Sequence, residues 1–246
     1  VKLKNNINIL GGVFCISISL LVIFGWFIEN TALIQVRTGF SPMQFNTALG
    51  FLFSGIGLLT FGGKNLFFTK LSGFLVAILG GLTLIQYIFG INLKIDNFFI
   101  DGSTVITNVS HVGRMAPNTA ICFLIAGLGL IFSKKEDTAF AFSFSVLFLS
   151  LFSLLAYSVL DKSSVSYLSL TRMALHTTLC FLVFSLSFLV FLKSKKEIAK
   201  AFYMQVEKDE AIIFSCGSGI TACVLALGAE VSGYKNISVY DGSWTE

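Results

Sequence analysis

Met43-Gln-Phe-Asn-Thr-Ala-Leu-Gly-Phe-Leu52, Met115-Ala-Pro-Asn-Thr-Ala-Ile-Cys-Phe-Leu124 and Met173-Ala-Leu-His-Thr-Thr-Leu-Cys-Phe-Leu182 are three copies of one phrase. Met, Thr, Phe and Leu recur in register, with Asn, Asn and His at the fourth position. Such repetition marks one supersecondary unit used several times. Here the unit is an apolar run, a polar loop, the phrase and a second apolar run. A membrane-crossing helix needs about 20 mostly apolar residues. Six runs approach that length: 8–28, 46–62, 71–90, 117–133, 139–160 and 173–192. The expected fold is mainly α, a six-helix transmembrane bundle built from three hairpin repeats.

Composition agrees with this division. Of 246 residues, 55% are hydrophobic and 12% charged, with 27 Phe and two Pro, whereas a soluble domain carries roughly a quarter charged residues. Residues 1–196 have a net charge of +8 and residues 197–246 one of −4. The expected domains are therefore a membrane domain, 1–195, and a short C-terminal segment, 196–246. The basic excess flanks apolar runs and forms no polar face, which excludes a nucleic-acid surface. Basic residues favour the cytoplasmic side of a membrane. Lys2, Lys4, Lys64, Lys70, Lys134, Lys135, Lys193, Lys195 and Lys196 fall on the side of both termini. Arg37, Lys94, Arg114, Lys162 and Arg172 fall on the other. Both termini are expected in the cytoplasm, with lipid as a partner. No small-residue cleavage site follows the first run, so it reads as a retained span.

Asn46, Asn118 and Thr177 stand where helices begin, so capping of the first free N–H groups is their expected role. Pro42 and Pro117 suit a first turn. A second reading has Arg114, Asn118, Arg172 and His176 lining an outward-facing pocket; against it, Arg at a span end commonly reaches to the interface. His111 reads as a solvated loop residue. Cys15, Cys122 and Cys180 lie in apolar runs and read as small buried hydrophobes. No residues have metal-ligand spacing, and neither a metal nor a cofactor is expected.

Gly113-Arg-Met-Ala-Pro-Asn-Thr-Ala120, and more loosely Phe40-Ser-Pro-Met-Gln-Phe-Asn-Thr47, resemble the multi-span sensor regions ahead of bacterial histidine kinases and diguanylate cyclases. The resemblance covers roughly residues 8–195. It implies a location in the bacterial inner membrane and a sensory role for the spans. No kinase or cyclase module follows in this sequence.

Lys193-Ser-Lys-Lys-Glu-Ile-Ala-Lys200 closes the last span and starts a polar helix. Ala211-Ile-Ile-Phe-Ser215 reads as a buried parallel strand. A helix is expected from Thr221 to Val231, stopped by Ser232-Gly233, and a second strand at Asn236-Ile-Ser-Val-Tyr240. The order is one βαβ unit, with Cys216-Gly-Ser-Gly-Ile-Thr-Ala222 at the carboxyl end of its first strand. Two Gly let successive N–H groups turn inward as an anion nest, and the helix adds its positive end. A Cys there is held partly as thiolate, the nucleophilic form. Cys223 is expected to face the sheet. A cysteine phosphatase also uses such a loop, but it needs an Arg to clamp phosphate where this chain has Ala222.

Ile213-Phe-Ser-Cys-Gly-Ser-Gly-Ile-Thr-Ala-Cys-Val-Leu-Ala-Leu227 and Gly233-Tyr-Lys-Asn-Ile-Ser-Val-Tyr-Asp-Gly-Ser-Trp-Thr-Glu246 resemble the C-terminal half of rhodanese-type sulfurtransferases, nearest to the 3-mercaptopyruvate/thiosulfate class. The resemblance implies that Cys216 is a catalytic nucleophile carrying sulfur as a persulfide. It implies that Gly217, Ser218, Gly219, Ile220, Thr221 and Ala222 cradle the persulfide and the substrate. It also implies a thiosulfate or mercaptopyruvate-like donor and a thiol acceptor. About half a family module is expected here, a small incomplete α/β segment for which a partner chain could complete the fold. The alternative is a membrane-embedded sensor or ligand-binding module whose truncated tail is inactive.

Overall fold

The computed structural model describes residues 2–36, 40–63, 66–98, 113–159, 173–203, 210–215, 220–231 and 234–240. The chain divides into two compact units, Val1–Leu192 and Lys193–Glu246.

The first unit contains helices α1 (Lys2–Phe27), α2 (Thr31–Ile34), α3 (Phe45–Thr60), α4 (Phe67–Phe89), α5 (Pro117–Ile131) and α6 (Glu136–Val159), and most of α7 (Leu175–Tyr203). Four helical stretches are long and apolar enough to cross a membrane: Ile7–Phe27, Phe67–Phe89, Glu136–Leu155 and Leu175–Lys193. This agrees with a multi-pass membrane protein. The other two expected spans form apolar helices of 16 and 15 residues. At 1.5 Å per residue these are about 24 and 22 Å long, short of the roughly 30 Å hydrocarbon layer.

The repeated phrase has one structural meaning. Helices α3, α5 and α7 begin at its third residue in all three copies: Phe45, Pro117 and Leu175. Phe51, Phe123 and Phe181, its ninth residues, then meet in a triangle with ring centroids 4.9, 4.6 and 4.8 Å apart. All three are fully buried. One turn earlier on the same helix faces, Thr47, Thr119 and Thr177 are buried too. So are Met43, Met115 and Met173 just before the helices. Three inner helices therefore share one pseudo-threefold axis. Centroid spacings near 5 Å with tilted rings are favourable for aromatic pairs.

Helices α1, α4 and α6 are more open. They expose Leu10, Leu20 and Phe24 on α1, Phe67, Phe74 and Ile78 on α4, and Phe144, Phe148 and Phe152 on α6. Such apolar exposure on membrane-length helices fits a lipid-facing surface. Small residues set the closest approaches between outer and inner helices. A Cβ added at Gly127 of α5 would lie 2.5 Å from the Gly73 oxygen of α4. One at Gly12 of α1 would lie 2.9 Å from the Gly55 oxygen of α3. Helices in lipid associate through such close backbone packing, because the apolar solvent supplies no hydrophobic drive. The ring closes where Cys15 of α1 lies against the Cys180 carbonyl of α7. Ser153 of α6 meets Thr178 of α7 at 3.4 Å.

The capping expectation fails at α3 and α5. The N-cap of α3 is Gln44 and that of α5 is Ala116, and neither side chain caps its helix. Both helices start one residue before the Asn position, so Asn46 is already inside the first turn. Its amide reaches out instead and donates to the Ile95 carbonyl at 3.0 Å. Pro117 does occupy the first turn of α5, where its missing N–H costs no hydrogen bond. Pro42 lies outside the helix.

The second unit has the expected order: β1 (Ile212–Phe214), α8 (Ile220–Val231) and β2 (Ile237–Val239). The strands are parallel, with Ile212, Ile213 and Phe214 opposite Ile237, Ser238 and Val239. Ile212 N–H donates to the Asn236 carbonyl and Tyr240 N–H to the Phe214 carbonyl, both at 2.8 Å. Ala222, Ala226 and Ala229 are buried, at the spacing of one helix face. Their small size lets α8 lie close to a sheet of two short strands.

Candidate functional site

The segment with the candidate nucleophile joins the carboxyl end of β1 to the N-terminus of α8. Cys216, Gly217, Ser218 and Gly219 lie outside the described residues, as does the expected turn Asp241-Gly-Ser-Trp244. The elements on either side are described. Phe214 ends a parallel strand that is hydrogen-bonded to β2, and Ile220 opens a 12-residue helix. Thr221 is the next residue of α8, and Ala222 is fully buried at its first turn. The five intervening residues, Ser215 to Gly219, thus connect a strand end to a helix start. Free N–H groups gather at a helix start, with the positive end of the helix dipole. The carboxyl ends of parallel strands are where α/β units bind ligands.

Cys223 does not face the sheet as expected. It is exposed, because it lies about 100° around α8 from Ala222. It lines an open groove of ≈ 690 Å³ with Leu227, Glu230, Tyr234, Lys235 and Val239. Leu227, Tyr240 and, on β1, Ile213 are exposed apolar side chains.

The end of the bundle where α3, α5 and α7 begin has a second polar grouping. Arg114 forms an ion pair with Asp96, Nε to Oδ2 2.7 Å, with both side chains 8% exposed. The same guanidinium donates to Gln86 Oε1 at 3.2 Å and stands over the Tyr87 ring, 5.3 Å from its centroid. Gln86 donates through Nε2 to Asp96 Oδ1 at 3.2 Å and accepts from Leu93 N–H at 2.9 Å. Tyr87 donates to the Met115 carbonyl at 3.1 Å. This network ties both ends of the α4–α5 connection to the last turn of α4. Arg114 is thus engaged within the fold and does not reach into solvent. Asp96 and Gln86 went unsingled in the sequence. The one available signal was Gln86, a polar residue inside an apolar run. Arg172 and His111 lie outside the described residues.

His176 is buried in the first turn of α7, and neither ring nitrogen makes a hydrogen bond of ordinary geometry among the described residues. The Ile34 carbonyl faces the ring. Among the described residues no group of three His, Cys, Asp or Glu could hold a metal ion.

Comparison with known proteins finds curated relatives over a short segment. A thiosulfate/3-mercaptopyruvate sulfurtransferase of Arabidopsis thaliana is 48% identical over 52 residues, 21% of this chain and 15% of that protein. A 3-mercaptopyruvate sulfurtransferase of Homo sapiens is 44% identical over 55 residues, 22% of this chain and 18% of that protein. A thiosulfate sulfurtransferase of Rattus norvegicus is 40% identical over 57 residues, 23% of this chain and 19% of that protein. The chain therefore spans less than a fifth of the length of these relatives. No family model matches, and no solved structure matches. About 22% of the chain is homologous to 3-mercaptopyruvate/thiosulfate sulfurtransferases, beside four membrane-length apolar helices.

Proposed function

We propose that the protein is a membrane-anchored sulfurtransferase that moves sulfane sulfur through a persulfide on Cys216. The observation that carries this reading is the strand–helix junction: a parallel strand ends two residues before Cys216 and a helix begins four residues after it. The identity to sulfurtransferases over a segment of matching length supports it. With thiosulfate, the Cys216 thiolate attacks the outer sulfur, the S–S bond breaks and sulfite leaves. An acceptor thiolate or cyanide then takes that sulfur and restores the Cys216 thiolate. Gly217, Ser218 and Gly219 supply N–H groups to the persulfide and donor, with Ile220, Thr221 and Ala222 setting the helix start behind them.

Membrane anchoring rests on the bundle. We read α3 and α5 as spans despite their length, because the longer apolar helices α1, α4 and α6 surround the inner trio and shield it from lipid. Both ends of the bundle chain then lie in the cytoplasm of a bacterial inner membrane, where free thiols persist. A periplasm-dependent phosphatase reporter should be active when inserted at Asn97 and inactive at Lys134; the opposite pattern would reverse the orientation. The α/β unit has too few elements to cover both faces of a parallel sheet. Additional polypeptide, in our reading a partner chain, covers Ile213, Leu227 and Tyr240.

The decisive assay is thiocyanate formation from thiosulfate or mercaptopyruvate and cyanide by the purified full chain, with mass detection of a Cys216 persulfide. Cys216→Ala should abolish both. A chain that forms neither product nor persulfide with either donor refutes the assignment.

A further inference from the structure

Lys70 is the sole charged residue of the membrane-length stretch Phe67–Phe89. Phe67 and Phe68 precede it, so its charge starts inside the apolar part of α4. Phe67, Lys70, Phe74 and Ile78 follow the i, i+3, i+7, i+11 spacing of one helix flank, and all four are exposed. A charge on an apolar flank in lipid is costly unless it meets an opposite charge or water. Two more cations reach the same end of the helix. A Cβ added at Gly73, one turn after Lys70, would lie 2.8 Å from Leu130 Cβ and 3.0 Å from Ile131 N. One added at Gly80 would instead meet Ala120 and Leu124. The α4–α5 pair is therefore antiparallel, and α5 stops where α4 carries Lys70. Lys134 and Lys135 stand in the turn just beyond Ile131, and both are exposed. Among the described residues the one ion pair is Arg114–Asp96, so none of the three lysines is neutralised there. Glu136 and Asp137, the next acids in the chain, have interactions of their own within the protein.

This juxtaposition selects the ligand. Three ammonium groups call for an anion, and a zwitterionic head group would bring its own cation against them. The apolar stripe of Phe67, Phe74 and Ile78 calls for hydrocarbon, which a free phosphate or an acidic peptide does not bring. An anionic phospholipid supplies both. Its phosphate oxygens accept charge-assisted hydrogen bonds from the lysines, and its acyl chains lie along the stripe. The long lysine stem lets the Lys70 ammonium reach from the apolar flank to the phosphate layer. Basic clusters between helices at the cytoplasmic face recognise lipid head groups in this way.

We propose that Lys70, Lys134 and Lys135 form a head-group site for one anionic phospholipid, at the end of the α4–α5 pair opposite Arg114. The site rests on the bundle lying in a membrane and not on Cys216, so the outcome of a sulfur-transfer assay has no bearing on it.

The test is native mass spectrometry of the full chain released from detergent micelles. The probes are phosphatidylglycerol, phosphatidylcholine with the same acyl chains, and water-soluble glycerol 3-phosphate. One phosphatidylglycerol should bind at least about tenfold more tightly than phosphatidylcholine, since several ammonium groups near a membrane surface each add about fivefold for an anion. Glycerol 3-phosphate should not displace it at equal concentration. Lys70→Gln should weaken phosphatidylglycerol binding about fivefold, and Lys70→Gln/Lys134→Gln/Lys135→Gln about a hundredfold. Lys70→Arg should keep the parent affinity. Lys94→Gln, an exposed lysine at the opposite end of α4, should also leave it unchanged. The proposal is overturned if the two lipids bind equally, or if the triple variant binds phosphatidylglycerol like the parent. It is also overturned if glycerol 3-phosphate competes equally, which marks a site for a free anion, or if Lys94→Gln loses as much as Lys70→Gln, which marks a diffuse attraction to net charge.

Discussion

Replacing Asp96 with Leu removes one end of a buried ion pair and leaves the Arg114 guanidinium facing an apolar side chain. Both partners are 8% exposed and 2.7 Å apart, so solvent cannot take over the lost contact. Breaking a buried pair from one side costs about 3–5 kcal/mol, mostly for the stranded charge. Arg114→Met should cost a similar amount by stranding the carboxylate. Replacing both is a different case, since no charge then remains buried. What the double variant still loses is part of the Gln86 network. Gln86 Oε1 keeps the Leu93 N–H, whereas Nε2 loses Asp96, at about 1–3 kcal/mol for an unpaired buried donor. Asp96→Leu/Arg114→Met should therefore be more stable than either single variant. Equilibrium unfolding of the full chain in mixed detergent micelles, followed by circular dichroism, gives all four corners of the cycle. Single variants that each cost under about 1 kcal/mol, or a double variant that costs their sum, would refute a coupled buried network.

Three further outcomes follow from the packing. Gly127→Val should destabilise the bundle by about 1–3 kcal/mol or more through overpacking against Gly73. Gly81→Ala, whose added Cβ would meet Leu124 Cδ1 at an unstrained 3.9 Å, should be neutral or gain up to about 1 kcal/mol from helix propensity; equal losses in the two would deny the close α4–α5 approach. Phe181→Ala should cost about 3–5 kcal/mol by opening a cavity at the axis, and a second Phe→Ala in the trio should add less than the first, since the same contacts are already gone; calorimetry of the single and double variants reads this. A maleimide reagent should modify Cys223 in the folded chain and leave Cys15, Cys122 and Cys180 unmodified until unfolding, with peptide mass mapping to show which thiols react.

The inner helices were legible because repetition is a strong signal. Three copies of one phrase marked where three helices begin, although the expected starts at 46 and 173 miss the actual ones, Phe45 and Leu175, by one and two residues. They also carried the three Phe that meet on the axis, although one chain read in isolation does not say that recurring positions touch. The βαβ order was legible from a short apolar run, an Ala-rich helix and a second run. Asp96 was not: it sits in a polar connection with no period, and its meaning appears only when Gln86 and Arg114 come close. The cap assignment failed because the helix entry point depends on Gln44 and Ala116 having extended backbone, which no side-chain preference required. Cys223 was misplaced by a single helical step, since four small apolar residues leave the buried face of α8 ambiguous.

The triangle of Phe51, Phe123 and Phe181 also bears on how freely the chain could be rearranged. Each repeat delivers one ring to a common point from its own hairpin, so the meeting needs three hairpins but no particular covalent order among them. A chain cut in the short turn after α5 could then reassemble from two co-expressed pieces. A circular permutant that begins at α4 would be expected to rebuild the same centre. What such a chain cannot tolerate is a lost or doubled hairpin, because two rings leave a void at the axis and four do not fit.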